Sequence, residues 1–508
     1  MKKIILILLI LVMTLQVVAC GGGNTETEGG SKETNAPVAE TESQTGGRYD
    51  AAFDRSSVAD DIGADVRFDG ETVTFFTRND QEHWKYEMDV DAIMNDTLYD
   101  AIYYRNKTVE ERLGITIDTV QQAGGYAVRK EWNDTLRTAV NTQSDDYDSA
   151  AIYLSTGSAL AVEGMFYNVI DFPNINLEKP WWNQSIQEEL TLFSTLYYLA
   201  GDIAVTETTE TFCLFYNKAL FEKYYGAEGI NLYNVIDQKK WTLDYLYDLV
   251  SPIHEDLNGN GIVDDGDIAG INGNTASYQQ SWNDAWVASC GIDITTKVNG
   301  VPELSFYSER TIRAFEAVKR VILLSPGTLV SDSIQVSNFA DGYLMFCKSN
   351  VNGGSGLREM KDPYGILPLP MLDEEQGGYS TTVGNVASLI VILSSLPDSR
   401  KELVGATLEL MAAESYKQVT PEYYEVALKT KYAESPEDSK LYDLILNSVK
   451  FSFGYCYSTE SLGGIGALFR ILGNDIAQKY DENDDVYYEK LQTLIDGLDE
   501  AAFKAMSK

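Results

Sequence analysis

The sequence predicts an α/β protein on three observations. Strand-like and helix-like segments alternate from residue 72 onward, the helical stretches carry their apolar residues on one side, and about 460 residues follow a low-complexity start, enough for more than one core. The run TVTFFT at 72–77, rich in β-branched and aromatic residues, reads as the opening strand. In the helical stretch after it Leu98, Ile102, Val109 and Leu113 share a side, and Gly114 ends it before ITIDTV at 115–120. A second helix over 128–142 leads to YDSAAIY at 147–153. Alternation of this kind is what a parallel, doubly wound sheet requires. The pattern returns with strands at 365–369 and 386–393 and helices near 311–324, 400–413 and 487–506.

The start of the chain has a different character. Lys2 and Lys3 precede an unbroken apolar run over 4–13, and Val17, Val18 and Ala19 lead into Cys20. A charged start and an apolar run too short to span a bilayer comfortably predict a signal peptide over 1–19. A branched apolar residue, then small residues, then cysteine resembles the bacterial lipobox, which implies that Cys20 carries lipid and that the protein is extracytoplasmic and lipid-anchored to the cell membrane. The alternative is an uncleaved membrane helix in which Cys20 is incidental. Residues 20–68 are expected to form a lipidated flexible linker, because 21–47 hold almost nothing large and apolar to offset their ordering entropy. A coil of that length spans about 30 Å.

Hydrophobic content of 44% and charged content of 23% are those of a globular protein. The formal charge of −38 argues against nucleic acid and anionic lipid as partners. Cys213, Cys290, Cys347 and Cys456 lie far apart without CxxC spacing and read as buried small hydrophobes rather than staples. His83 and His254 are the two histidines, too few for a His-rich zinc site or a Ser/His/Asp centre.

Several segments carry a family resemblance. GDIAVTETTETFCLFYNKALFEKYYG at 201–226 and KKWTLDYLYDLV at 239–250 are followed by FADGYLMFCKSNVNGGSGLREM at 339–360, YGILPLP at 364–370 and TVGNVASLIVILSSLPDSRKELVGATLELMA at 382–412. In this order they resemble the carbohydrate-type extracellular solute-binding proteins of bacterial ABC transporters. The resemblance implies a type II periplasmic-binding-protein fold, two α/β lobes with an interlobe cleft. It assigns 69–207 and 393–450 to the first lobe and 208–392 and 451–508 to the second. It further implies a monomer that captures a mono- or oligosaccharide by lobe closure, delivers it to an ABC permease and performs no catalysis. The competing readings are a surface-anchored glycan-degrading enzyme and a non-catalytic adhesion or scaffold lipoprotein.

Candidate ligand residues follow from two physical rules. Ligands of open α/β sheets sit beyond the carboxyl ends of strands, which selects Arg78, Tyr153 and Ser155, with Asp202 and Glu207 near the first crossover and Asn385 and Tyr455 as additions. Aromatic faces pack on the C–H faces of sugar rings while polar side chains take the hydroxyls. Among seven tryptophans, Trp282 and Trp286 lie in a Ser/Asn/Gln-rich stretch and are the aromatic candidates, whereas Trp241 is expected at a helix start and Trp181 and Trp182 in the first lobe's core.

DLNGNGIVDDGD at 256–267 has calcium-loop spacing. Counting Asp256 as position 1, Asn258, Asn260, Ile262 (through its carbonyl), Asp264 and Asp267 fall at 3, 5, 7, 9 and 12, and Gly261 supplies the bend at 6. Aspartate at position 12 has a shorter arm than the usual glutamate. A structural Ca²⁺ site is expected here, with a solvated Asn/Asp/Gly turn as the alternative. NGGSG at 352–356 lacks the lysine and Ser/Thr of a phosphate-binding loop and reads as a turn.

Overall fold

Three parallel strands build the first sheet of the computed structural model: β1 (Thr72–Arg78), β2 (Thr116–Gln122) and β3 (Ser149–Tyr153). Residues 54–274, 280–331, 335–423 and 436–506 are described, and all belong to one compact unit, Gly46–Lys508. The expected signal peptide at 1–19, Cys20 and the expected linker as far as residue 53 lie outside the described residues. The helix Thr97–Leu113 links β1 to β2. Asp96 starts it by accepting the N–H groups of Leu98 and Tyr99, and Gly114, at φ 73, stops it in a left-handed conformation. The helix Arg129–Asn141 links β2 to β3, and every residue of β3 is buried, as expected of a strand covered on both faces.

The chain leaves this sheet through the short helix Thr206–Thr209 and enters the second as β4 (Phe212–Asn217). There it lays down β5 (His254–Glu255), β6 (Ile268–Asn274), the separate hairpin β7 (Thr295–Val298) and β8 (Val301–Leu304), then β9 (Thr328–Ser331), β10 (Leu344–Asn350) and β11 (Tyr364–Leu367). The strand order is β11-β4-β10-β6-β5, with β9 also on β6. A bridge between Thr211 and Val383 sets the outgoing and returning crossovers side by side, and the chain re-enters the first sheet as β12 (Ser388–Ile392), antiparallel to β3.

Three expectations are corrected. The second sheet is mixed rather than parallel, because β4 arrives from the other lobe and pairs antiparallel with both β10 and β11. The sheets divide the chain differently from the boundaries at 392 and 450: β12 belongs to the first sheet, and the helix Pro436–Asn447 packs on β11 of the second. The linker does not extend to 68. Arg112 grips Asp60 with two 2.7 Å bonds, Lys179 and Asn176 hold Asp61, and Ile62 is buried, so the stretch from 54 is part of the first lobe. The helix expected over 311–324 is Glu309–Lys319, closed by a wider π turn at Arg320–Leu324.

Trp181 and Trp182 are buried in the first lobe and donate to Glu409, at 3.2 and 2.9 Å. Trp241 is buried beside Thr242, which caps the helix Leu243–Val250, and donates to the Pro368 carbonyl. All four body cysteines are buried and unpaired. Among the described residues no helix is long and apolar enough to cross a membrane.

Candidate ligand cleft

A cavity of ≈ 770 Å³ opens where the two sheets face each other, within the range of small-molecule sites. The first lobe contributes Asp80, Gln81 and Trp84, which follow β1, Tyr126, which follows β2, and Tyr153 at the end of β3. Glu210 and Asn385 enter from the two crossovers, and Phe212, Trp282 and Arg470 from the second lobe.

Each lobe presents an aromatic pair. Trp84 and Tyr153 stand 6.5 Å apart, centre to centre, and Phe212 and Trp282 meet edge to face at the same separation. Tyr126 and Ile471, both about half exposed, mark opposite rims. The loop carrying Tyr126 is pinned by Asp80, whose Oδ2 accepts the N–H groups of Gly124 (2.5 Å) and Gly125 (2.7 Å). Gly124 must be glycine here, since a Cβ would lie 2.6 Å from both Arg78 Cγ and Trp132 Cδ1.

The polar groups are held from behind. Glu210 accepts a 2.8 Å bond from Asn350 of the second lobe, stands 3.3 Å from His83 Nε2 of the first, and accepts the Gly384 N–H through its carbonyl. One residue therefore touches both lobes through its carboxylate and the returning crossover through its main chain. The guanidinium of Arg470 is fixed by two parallel bonds, 2.8 and 2.6 Å, to buried Asp284. Beneath that wall the ammonium of buried Lys348 donates to Asn283 Oδ1 at 2.8 Å and lies 5.4 Å from the Trp286 ring. Desolvation pulls Lys348 down to about 7. Burial also pushes the Tyr153 phenol up to about 12.

Of the sequence candidates, Tyr153, Trp282 and Asn385 line this cavity. Arg78 is buried below it, under Trp84 and Tyr153. Ser155 is buried behind the strand end. Asp202 accepts the Thr420 hydroxyl and Glu207 the Asn183 amide, both as buried supports of the crossover. Trp286 lies in the second lobe's core, on the helix Asp284–Ser289 that follows the turn carrying Trp282. Tyr455 donates to the Val383 carbonyl and lines a separate ≈ 430 Å³ cavity. Arg310, Gln376 and Asp284 also line that space and are already paired with neighbouring protein groups. Sequence reasoning missed Trp84, Tyr126, Glu210, Phe212 and Arg470. The strand-end rule could have found Trp84 and Tyr126, which lie a few residues past β1 and β2. Nothing local singles out Arg470, whose partner Asp284 is 186 residues away.

The loop at 256–267 folds around its own carboxylates. Asp256 accepts the N–H groups of Gly259, Asn260 and Gly261, and Asp267 those of Leu257 and Asp264. The backbone N–H bonds from Asp264 and Leu257 hold the Asp267 carboxyl below the usual range. The amides of Asn258 and Asn260 donate to Asp264 at 2.9 and 2.6 Å. The donor set of carboxylates, amides and a carbonyl fits a hard cation, although both asparagine amides would have to turn over to present oxygen inward. Among the described residues no three His, Cys, Asp or Glu side chains come together at metal-binding distance.

The architecture, two α/β lobes joined by adjacent crossovers with a cavity between them, is that of the periplasmic solute-binding proteins. By sequence no protein-family model and no curated protein matches the chain. Among solved structures it is similar to the sugar-binding protein MalE from Xanthomonas citri, at 14% identity and a TM-score of 0.54 over 85% of this chain and 98% of that one. It is similar to a cyclo/maltodextrin-binding protein complexed with maltotetraose, at 11% identity and a TM-score of 0.52 over 85% and 98%. It also resembles UgpB from Mycobacterium tuberculosis in complex with glycerophosphocholine, at 13% identity and a TM-score of 0.51 over 84% and 98%. The chain therefore has the MalE-type fold.

Proposed function

We propose that this protein is the substrate-binding component of an ABC importer, and that it captures a mono- or oligosaccharide between its lobes and delivers it to a membrane permease. The observation that carries this reading is the interlobe cavity, with an aromatic pair on each side and Glu210, Asn385 and Arg470 between them. Rings from both sides would take the C–H faces of a sugar, and carboxylate, amide and guanidinium its hydroxyls. Closure follows from differential affinity: a ligand touching both walls binds the closed state more tightly and shifts the lobes toward it. The solved structures of similar fold bind maltotetraose in one case and glycerophosphocholine in another, so a hydroxyl-rich small molecule is consistent with both.

Binding without catalysis is part of the proposal. The carboxylates lining the cavity, Asp80 and Glu210, serve as acceptors that hold a loop and a crossover in place. Lipid at Cys20, extracytoplasmic placement and a monomeric state complete the reading. Calcium held by Asp256, Asn258, Asn260, Ile262, Asp264 and Asp267 would act as a structural staple of the second lobe, clear of the cleft. The test is a thermal-shift screen against saccharides, peptides and amines, since a ligand bound by the native state raises its stability by mass action. A saccharide should raise the melting temperature and be recovered intact. Stabilisation by peptides or amines alone would overturn the carbohydrate assignment, and turnover of the saccharide would overturn the binding reading.

A further inference from the structure

Arg78 is 1% exposed at the end of β1, yet its guanidinium carbon lies 4.3 Å from the centre of the Trp84 ring and 5.1 Å from that of Tyr153. Both rings line the cavity. Nη2 of Arg78 donates to the Val386 carbonyl (2.9 Å) and to Ser388 Oγ (2.7 Å). Ser388 in turn donates to Glu87, whose other oxygen accepts the N–H (3.2 Å) and hydroxyl (2.5 Å) of Thr206. The Ser388 N–H closes the circuit on the Thr206 hydroxyl at 2.9 Å. Thr206 opens the outgoing crossover, and Val386 and Ser388 end the returning one. A single buried cation thus supports two cleft rings from behind and is wired to both crossover segments that join the lobes. Among the described residues its Nε and Nη1 find no hydrogen-bond partner, and the ring faces are its contacts on that side. Burial pulls the guanidinium down to about 10, so it remains charged at neutral pH.

We infer that Arg78 is a positioning residue of the cleft: it sets the Trp84–Tyr153 platform through cation–π contact and couples that platform to the hinge through Ser388, Glu87 and Thr206. The inference rests on the proposed function in so far as a saccharide occupies the platform. Because the guanidinium holds the rings against one side, a ligand pressing on the other side works against a support tied to both crossovers. Ring contact and lobe angle are then linked, and a variant that frees the rings should bind more weakly and close less completely.

The test uses full-length protein labelled with 5-fluorotryptophan, with the Trp84 fluorine resonance assigned from Trp84→Phe. In the free protein Arg78→Met should move the Trp84 resonance and leave that of Trp282 in place. The same variant should bind the stabilising saccharide about tenfold more weakly and compact less at saturation. Arg78→Lys, which keeps a cation under the rings, should restore the resonance and most of the affinity. An unmoved Trp84 resonance in a folded Arg78→Met protein, or a lysine variant no better than methionine, would overturn the inference. If wild-type protein binds no saccharide the proposed function fails, while the Trp84 resonance of the free protein still decides the role of Arg78. Should Arg78→Met not fold, Ser388→Ala cuts the tie to Glu87 with the cation still in place. A shifted Trp84 resonance in that variant supports the inference, and an unchanged one overturns it.

Discussion

Alanine at Trp286 and at Trp282 should separate packing from ligand contact within four residues of sequence. Trp286 is fully buried, so its removal leaves a cavity in the second lobe and costs about 3–5 kcal/mol of stability. Its indole N–H has no hydrogen-bond partner among the described residues, but Lys348 loses the ring that faces its ammonium at 5.4 Å, which adds to the cost. Trp282 is only partly buried, edge-on to Phe212 in the cavity wall, and a smaller stability loss of about 1 kcal/mol is expected. Its loss should appear in binding, where one ring–sugar contact is worth about 1–3 kcal/mol, a factor of about ten to a hundred in affinity. Urea unfolding gives the first quantity and titration calorimetry the second. The reasoning is refuted if Trp286→Ala weakens binding as much as Trp282→Ala while its unfolding midpoint stays at the wild-type value.

Glu409, buried against both indole N–H groups of Trp181 and Trp182, is pushed up to about 7 by desolvation, from 4.5. Between those values the folded state holds a proton that the unfolded state has released, so its contribution to stability should fall by up to about 3 kcal/mol as pH rises from 4.5 to 7. Urea midpoints of wild type and Glu409→Gln across that window should converge or cross, and parallel curves would contradict the assignment. Chelation should lower the melting temperature of wild type but not of Asp256→Ala, and the absence of any response to millimolar calcium would leave the loop a plain turn. Cys20→Ser should move the mature protein from the membrane fraction to the soluble one, and retention of the variant after a high-salt wash would argue against the lipid anchor.

Much of the fold was legible because it is written locally. TVTFFT, YDSAAIY and the Leu98/Ile102/Val109/Leu113 stripe declare strand, strand and helix by period alone, and the strand-end rule led to Tyr153. What escaped depends on contacts across the chain. The sheet to which β12 belongs is set by its pairing with β3, more than 230 residues earlier, and no feature of ASLIVIL announces that return. The same limit applied to the site. Trp282 lies in the short turn Gln280–Asn283 and Trp286 in the helix Asp284–Ser289 that follows it, and composition cannot say which of the two faces the cleft. Arg78 obeyed the rule for ligand residues, yet Trp84, six positions on, folds back over it and takes its place in the cavity wall.

The central claim, that a saccharide closes two lobes without being changed, is tested most directly by small-angle scattering on the mature protein with and without the saccharide that stabilises it, with the sugar analysed afterward. The account predicts a smaller radius of gyration at saturation and recovery of the intact saccharide. An unchanged radius with the ligand bound, or the appearance of cleavage products, would contradict it.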